Sequence, residues 1–232
     1  MPVAALDQAT RRYLTGSYPR NHNYRVMAGR LWPSWRLWNR DRRLWPLAPK
    51  GAASMLDLSC SKGWFVLQAL RRHGFERALG IDVHAPDLEA TEAVRQHLLP
   101  DAPALARLQL QPWRLADVVE RIEDLGGPFE VVLCINLYHY LALGSRRLPE
   151  VTGSHESIFE QLSRVCGGTL IFSNCVTLDQ LPKHMADRAR ELGLAESYTA
   201  ERIRAAAAKW FDIQDHGRLG KRPLWTMVRR HP

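Results

Sequence analysis

The chain has 232 residues, 46% hydrophobic and 24% charged, enough apolar material for one large domain with appendages. It contains no run of 18 or more apolar residues, which excludes a membrane-spanning helix. Its formal charge of +8 lies entirely in residues 1–50, where ten basic side chains meet two acidic ones, while the rest of the chain is balanced at 22 of each.

Nine of those ten basic residues are arginine, the side chain best shaped to grip phosphate or carboxylate. The start, MPVAALDQATRRYL, has no basic head followed by an apolar stretch, so no secretory signal is expected. Four scattered cysteines without a CxxC pair point to buried, reduced thiols in a cytoplasmic protein, with no metal site.

Residues 1–50 read as helix, turn and helix. GSYPRNHNYR (Gly16–Arg25) is rich in turn formers, and LWPSWRLWNRDRRLW sets tryptophans among arginines. Leu31, Trp35 and Trp38 have the spacing of one helical face, with Pro33 expected in the first turn of that helix.

From Ser54 onward the pattern alternates. SMLDLSC is a strand and WFVLQALRRHGF an amphipathic helix with Gly74 near its end; RALGIDV is a second strand, followed by the helix PDLEATEAVRQHLL. ARLQLQPW and ADVVERIEDL are a third strand and helix. FEVVLCINL is nearly all apolar, as expected of a strand buried on both faces. A long connection, Ala142–Glu156, precedes the helix HESIFEQLSRVC and the strand GGTLIFSNCV, and connections of that length are often functional. Two further helices, in LPKHMADRARELGL and AERIRAAAAKWF, lead to a terminal antiparallel pair, DIQDHGRL and RPLWTMVRR. The fold class is therefore α/β: a doubly wound, mostly parallel Rossmann-like sheet with an antiparallel terminal strand and a basic N-terminal helical extension. Two segments are expected, a basic, Trp-rich extension over 1–50 and a ligand-binding domain over 51–232.

In such sheets ligands bind at the carboxyl ends of the strands. DLSCSKG (Asp57–Gly63) lies one strand-to-helix turn in, and Asp82 ends the next strand, 25 residues after Asp57. An acid there is placed to accept hydrogen bonds from two ribose hydroxyls. GxGxxG is absent, which sets a nicotinamide cofactor aside.

These residues resemble the first motifs of the class I S-adenosylmethionine-dependent methyltransferases. The family's (D/E)xGxGxG stands here as Asp57, Ser59, Ser61 and Gly63, with two of three glycines replaced by serine. The replacements put in question any backbone of positive φ at Ser59 or Ser61. The resemblance implies S-adenosylmethionine as cofactor, held at its methionine end by Asp57 and the Ser59–Gly63 backbone and at its ribose by Asp82, with Val83 beside the adenine. The fourth strand ends in Asn136-Leu137-Tyr138-His139, which keeps the Asn of the amino-methylating (D/N)PP(Y/F) motif and lacks both prolines. By the same resemblance Asn136 belongs to the cofactor side, and Tyr138 and His139 to the acceptor side. His139 is a candidate general base or a residue that only shapes the pocket.

Two narrower resemblances concern the acceptor. Gly16-Ser17-Tyr18, Asn21 and Tyr24-Arg25, then Asp41, Arg43 and Leu44, then GKRPLW (Gly220–Trp225) look like stretches of the RNA methylphosphate-capping methyltransferases. CINLYHYL and HESIFEQLSRVCGGTLIFSN are similar to the methyltransferase half of the O-antigen chain-terminating methyltransferase/kinases. Both families methylate a phosphate oxygen. The resemblance implies that Tyr24 and Arg43 fold over the cofactor and grip its carboxylate. It also implies that the N-terminal arginines meet an anionic acceptor, a phosphate-bearing glycan of lipopolysaccharide O-antigen or RNA, with peripheral association to a biosynthetic complex. A small-metabolite methyltransferase and a catalytically inactive partner subunit are the competing readings.

Overall fold

A computed structural model describes residues 6–28, 30–99, 102–145 and 151–230. The chain forms two compact units, residues 1–114 and 115–232. Its main sheet is mixed and mostly parallel, with seven strands flanked by helices, and a separate two-stranded sheet lies near the N-terminus.

The first unit opens with α1 (Gln8–Gly16), capped by the Asp7 carboxylate accepting from the Thr10 amide. Strands β1 (Tyr24–Met27) and β2 (Arg30–Pro33) then form an antiparallel hairpin in register Tyr24↔Pro33 to Met27↔Arg30. Helix α2 (Trp35–Leu44) follows, its first turn capped by the Ser34 hydroxyl, which accepts from the Leu37 amide at 3.3 Å. The hairpin corrects the helix–turn–helix expectation. Leu31 and Pro33 belong to β2, and the helix begins two residues after Pro33. Proline pushes the residue before it, Trp32, toward extended backbone, and the Ser34 cap then sets the helix start. Trp35 and Trp38 do share a helical face, with ring centroids 4.8 Å apart.

The parallel part of this unit contains β3 (Ser54–Asp57), α3 (Trp64–Arg72), β4 (Arg77–Ile81), α4 (Ala85–Leu98), α5 (Ala102–Ala106) and β5 (Leu108–Gln111). The strands lie side by side as β5-β4-β3, with Asp57 opposite Gly80 and Gly80 opposite Leu110. The register brings the ends of β3 and β4 nearly level, so Asp57, the last residue of β3, and Asp82, which follows β4, emerge on one edge. Helix α3 is buried along all of Trp64–Leu70, so it is a core helix and not the amphipathic one its sequence suggests.

The second unit comprises α6 (Leu115–Glu120), β6 (Phe129–Ile135), α7 (Tyr138–Leu143), α8 (His155–Val165), β7 (Cys166–Ser173), α9 (Lys183–Glu191), α10 (Ala200–Ala207), β8 (Phe211–Leu219) and β9 (Arg222–Arg229). Its strands run β6-β7-β9-β8, the first pair parallel and the other two antiparallel. Phe172 pairs with Trp225 across β7 and β9, and their rings stack at 5.5 Å. The core here is Val131, Leu133, Phe159, Leu170, Phe211 and Met227, all essentially inaccessible. Residues 146–150 of the Ala142–Glu156 connection lie outside the described residues. All four cysteines are buried, and none is in a disulfide.

Candidate functional site: a donor loop and an acceptor turn

The loop between β3 and α3 is shaped by hydrogen bonds from neighbouring elements. The Asp57 carboxylate accepts the Ser59 amide at 3.2 Å, which turns the chain out of the strand. The Cys60 amide donates to the Ile81 carbonyl at 2.9 Å. Ser61 adopts φ 47°, in the left-handed region, where a side-chain-bearing residue gives up about 1 kcal/mol. Three contacts offset that cost. Its amide donates to Asp82 Oδ2 at 3.0 Å, its hydroxyl donates to Asp87 Oδ2 at 3.2 Å, and its carbonyl oxygen lies 3.1 Å from the Thr91 hydroxyl. Gly63 ends the loop at φ 73°, and a Cβ there would lie 2.1 Å from Thr91 Cγ2. Of the three motif positions, then, Ser59 needs no left-handed backbone, Ser61 takes it with support, and Gly63 is required twice over.

Asp82 joins the loop to the end of β4. Besides the Ser61 amide it accepts the His84 amide at 2.9 Å, on its other oxygen. Burial raises the Asp82 carboxyl above the usual carboxylate range. Asp57 is almost fully buried, and burial together with the Asp82 charge lifts its carboxyl to about 7 against the pull of the Ser59 amide. Val83, half-buried, follows directly. Two desolvated carboxylates beside a left-handed turn form a donor set suited to a cationic ligand that also carries ribose hydroxyls. This matches the ammonium, sulfonium and ribose of S-adenosylmethionine.

Lys62 ties this loop to the N-terminal segment. It is fully buried, its Nζ donates to the Ser17 carbonyl at 3.2 Å and to the Asn23 side-chain oxygen, and it lies 5.5 Å from the Tyr13 ring centroid. Burial lowers its pKa to about 8, with the Asp87 charge acting in the opposite sense. Tyr13 in turn donates to Asp87 Oδ1 at 2.7 Å. Tyr24 donates its hydroxyl to the Lys62 carbonyl at 2.8 Å and packs edge-on to Trp64. Asp41 accepts the indole N–H groups of Trp45 and Trp64 at 2.8 and 2.7 Å, fastening α2 to the first turn of α3. Arg43 is exposed on α2. The structure thus brings Asp57, Ser59, Ser61, Gly63, Asp82 and Tyr24 together around one loop. Tyr13, Lys62, Asp87 and Thr91 join them unforeseen. Among these, only Asp87 and Thr91, one turn apart in the first half of α4, left a sequence signal, a shared face toward whatever precedes the helix.

The second unit presents a turn of its own after β6. Asn136 is left-handed at φ 60°, its amide donating to the Ser173 carbonyl at 3.1 Å. Asn174 clamps the turn: its Oδ1 accepts the Leu137 and Tyr138 amides at 2.7 and 2.9 Å, and its Nδ2 donates to the Cys134 carbonyl at 2.7 Å. Asn136 Oδ1 and His139 Nδ1 are buried without an internal hydrogen-bond partner. Burial, and then the Arg222 and His184 charges, hold the His139 pKa down to about 3, so its imidazole is neutral near pH 7. Tyr138 is fully buried among Phe159, Phe172 and Tyr198, with its hydroxyl 2.6 Å from His155 Nδ1. His155 Nε2 lies 3.0 Å from the Ser197 carbonyl. A carbonyl only accepts, so Nε2 bears the proton and Nδ1 accepts from Tyr138. The tyrosine hydroxyl is therefore committed to an internal relay, whereas His139 and Asn136 keep open polar atoms.

Among the described residues no group of three or more His, Cys, Asp or Glu is placed to hold a metal ion, and no helix is long and apolar enough to cross a membrane. No protein-family model matches the chain, and no curated protein matches it in sequence. Solved structures do. A candidate S-adenosylmethionine-dependent methyltransferase from Listeria monocytogenes superposes with a TM-score of 0.60 at 16% identity, over 84% of this chain and 98% of that one. The N-terminal domain of EvdMO1, solved with S-adenosylhomocysteine bound, gives 0.59 at 18% identity, over 97% of this chain and 98% of that domain. The match spans 45% of EvdMO1 as a whole. The N-methyltransferase NodS from Bradyrhizobium japonicum WM9 gives 0.53 at 14% identity, over 84% of this chain. At these identities the likeness is one of fold, and the chain has the class I S-adenosylmethionine-dependent methyltransferase fold.

Proposed function

We propose that the protein is an S-adenosylmethionine-dependent O-methyltransferase acting on a polyanionic acceptor, with residues 1–50 serving the acceptor side. The observation that carries the donor half is the cradle in which Asp82, at the end of β4, accepts the amide of the left-handed Ser61 at 3.0 Å. The serine replacements are accommodated in a closed strand-to-helix turn, with Ser61 left-handed and its amide and hydroxyl both bonded to carboxylates. When bound, the cofactor supplies an electrophilic methyl group on a sulfonium. Asp57 and the loop amides are assigned to its methionine end, and Asp82 and Val83 to its ribose and adenine.

The acceptor half is supported by charge. A histidine whose conjugate acid forms only near pH 3 draws a proton poorly from a neutral hydroxyl. An oxygen that already bears negative charge needs positioning and charge neutralisation instead, and the whole excess of +8 lies in the first 50 residues. A phosphate-bearing glycan and RNA both fit that description.

Calorimetric titration with S-adenosylhomocysteine tests the donor half. Asp82→Ala should weaken binding by about 1–3 kcal/mol, the scale of a lost charged hydrogen bond. No binding by the native protein sinks the enzyme reading, and unchanged affinity in the variant removes Asp82 from the site. Transfer of radiolabelled methyl into separated RNA, glycan and small-molecule fractions tests the acceptor, and label confined to neutral metabolites rules out the polyanion.

A further inference from the structure

The hairpin of β1 and β2 carries an exposed face that the donor loop does not use. Partners across an antiparallel pair share a face, and residues two apart along a strand return to it. The register Arg25↔Trp32 and Met27↔Arg30 therefore sets Arg25, Met27, Arg30 and Trp32 on one face. All four are exposed. The opposite face starts from Tyr24, which is buried and holds the base of the hairpin by donating its hydroxyl to the Lys62 carbonyl at 2.8 Å. The far end is covered on neither side: Val26 is 41% exposed and Met27, on the other face, 51%. The hairpin thus ends in an apolar tip with Arg25 and Arg30 beside it. The exposed apolar groups are concentrated, not scattered. Five of the seven large hydrophobic side chains exposed among the described residues, Tyr18, Val26, Met27, Trp32 and Trp35, lie within residues 18–35. Residues 8–40 hold seven arginines and no acid.

Apolar side chains set among cations complement a partner that is anionic at its surface and apolar beneath, which is the polar boundary of a lipid bilayer. An indole such as Trp32 suits the headgroup level, where its ring is buried and its N–H stays wet. Val26 and Met27 reach toward the acyl boundary, and guanidinium groups pair with lipid phosphates. Nucleic acid fits less well. The face has one ring, Trp32, and Val26 and Met27 offer no π-surface to a base. A second copy also fits less well, because a two-fold pairing brings four arginines into one interface with no acid on the face to offset them. We infer that the β1/β2 hairpin docks the protein on an anionic membrane surface, with Val26, Met27 and Trp32 entering the interface and Arg25 and Arg30 on headgroup phosphates. The inference goes beyond the methyltransferase reading and does not rest on it. It uses two of the ten basic residues in residues 1–50 and none of the groups assigned to the donor.

The test is co-sedimentation of the full chain with vesicles of phosphatidylcholine alone and of phosphatidylcholine with phosphatidylglycerol in equal parts. Two double variants separate the contributions. Val26→Ser with Met27→Ser removes the apolar tip and keeps the charge, and Arg25→Gln with Arg30→Gln does the reverse. All four side chains are exposed, so the melting temperature should not move, and it verifies folding in each variant independently. The native protein should sediment with the anionic vesicles and not with phosphatidylcholine alone. Added salt should weaken that binding, and each double variant should lose roughly tenfold or more. No binding to the anionic vesicles overturns the proposal, as does unchanged binding in either variant. A single-stranded oligoribonucleotide that binds more tightly than the anionic vesicles and displaces them also overturns it and makes the face one for nucleic acid. A native dimer that Val26→Ser with Met27→Ser converts to monomer overturns it in favour of a second copy. Titration of the same samples with S-adenosylhomocysteine keeps the readings apart. Lost vesicle binding with cofactor binding intact removes the docking surface alone, whereas vesicle binding without cofactor binding removes the methyltransferase reading.

Discussion

Two turns in this molecule solve the same backbone problem in opposite ways. Each follows a buried parallel strand and places a non-glycine residue in the left-handed region, Ser61 after β3 and Asn136 after β6. At Ser61 amide, hydroxyl and carbonyl all have partners, on Asp82, Asp87 and Thr91. At Asn136 the backbone is held through Ser173 and Asn174, but the side-chain oxygen and the nearby His139 Nδ1 are left without partners inside the protein. The first turn is finished without a ligand and would present backbone and carboxylates to one. The second is rigid in its main chain and incomplete in its side chains, as expected where an incoming group supplies the missing hydrogen bonds.

The clamp of the second turn gives the largest expected effect. Asn174→Ala strands the Leu137 and Tyr138 amides and the Cys134 carbonyl, all buried. At 1–3 kcal/mol for each unsatisfied group, with partial relief from entering water, the loss should be roughly 4 kcal/mol in denaturant unfolding. A loss under about 1 kcal/mol would mean that the turn does not depend on this side chain. In the first turn the counterpart is Gly63→Ala, which adds a Cβ 2.1 Å from Thr91 Cγ2 at φ 73° and should cost roughly 3 kcal/mol. Adding Thr91→Ser to that variant removes the clashing methyl and should recover part of the loss. No recovery would place the whole cost in the backbone.

These two positions also mark what the sequence could tell. Gly63 was legible because a glycine at a strand-to-helix turn has a local reason. The α/β alternation was legible because runs such as FEVVLCI have no polar face, and Asp57 and Asp82 stood out because they end such runs. Asn174 and Lys62 were not legible, since each acts on backbone or side chains more than 30 positions away, and nothing local distinguishes them. The β1/β2 hairpin was missed because Trp and Arg at spacings of three and four mimic a helical face, while the deciding facts are Pro33 and the Ser34 cap.

Acid should next separate the two units. His139 in the second and His22 in the first are both buried, and both have pKa values lowered from 6.5 to about 3, chiefly by burial. Between those values the unfolded chain binds protons that the folded chain does not, so stability falls as pH drops through 6.5. Each histidine should remove about 1 kcal/mol between pH 7.5 and 5.5. His139→Gln should flatten the acid side of the stability profile by one such share and leave the His22 share in place. If the profile is unchanged in that variant, His139 is not kept neutral by burial.

The smallest stability effects bear most directly on the comparison. Ser61→Gly relieves the left-handed cost but deletes the hydroxyl donor to Asp87 and loosens the unfolded chain, terms of about 1 kcal/mol each that nearly cancel. A net loss of about 0.5 kcal/mol is expected, whereas Ser61→Ala keeps the strain, loses the bond and should cost about 1.5 kcal/mol. Asn136→Gly gives up no internal hydrogen bond of its side-chain oxygen and relieves the same strain, so its stability should stay level or rise. S-adenosylhomocysteine affinity, measured on the same samples, reads function separately. Ser61→Gly should bind within a few fold of the native protein, because its contacts to the ligand run through the backbone. Asn136→Gly should bind or turn over at least tenfold less well, because its open oxygen is what the turn offers. If Asn136→Gly costs stability and leaves function intact, the two turns have exchanged the roles assigned to them, and the strain at Asn136 is structural.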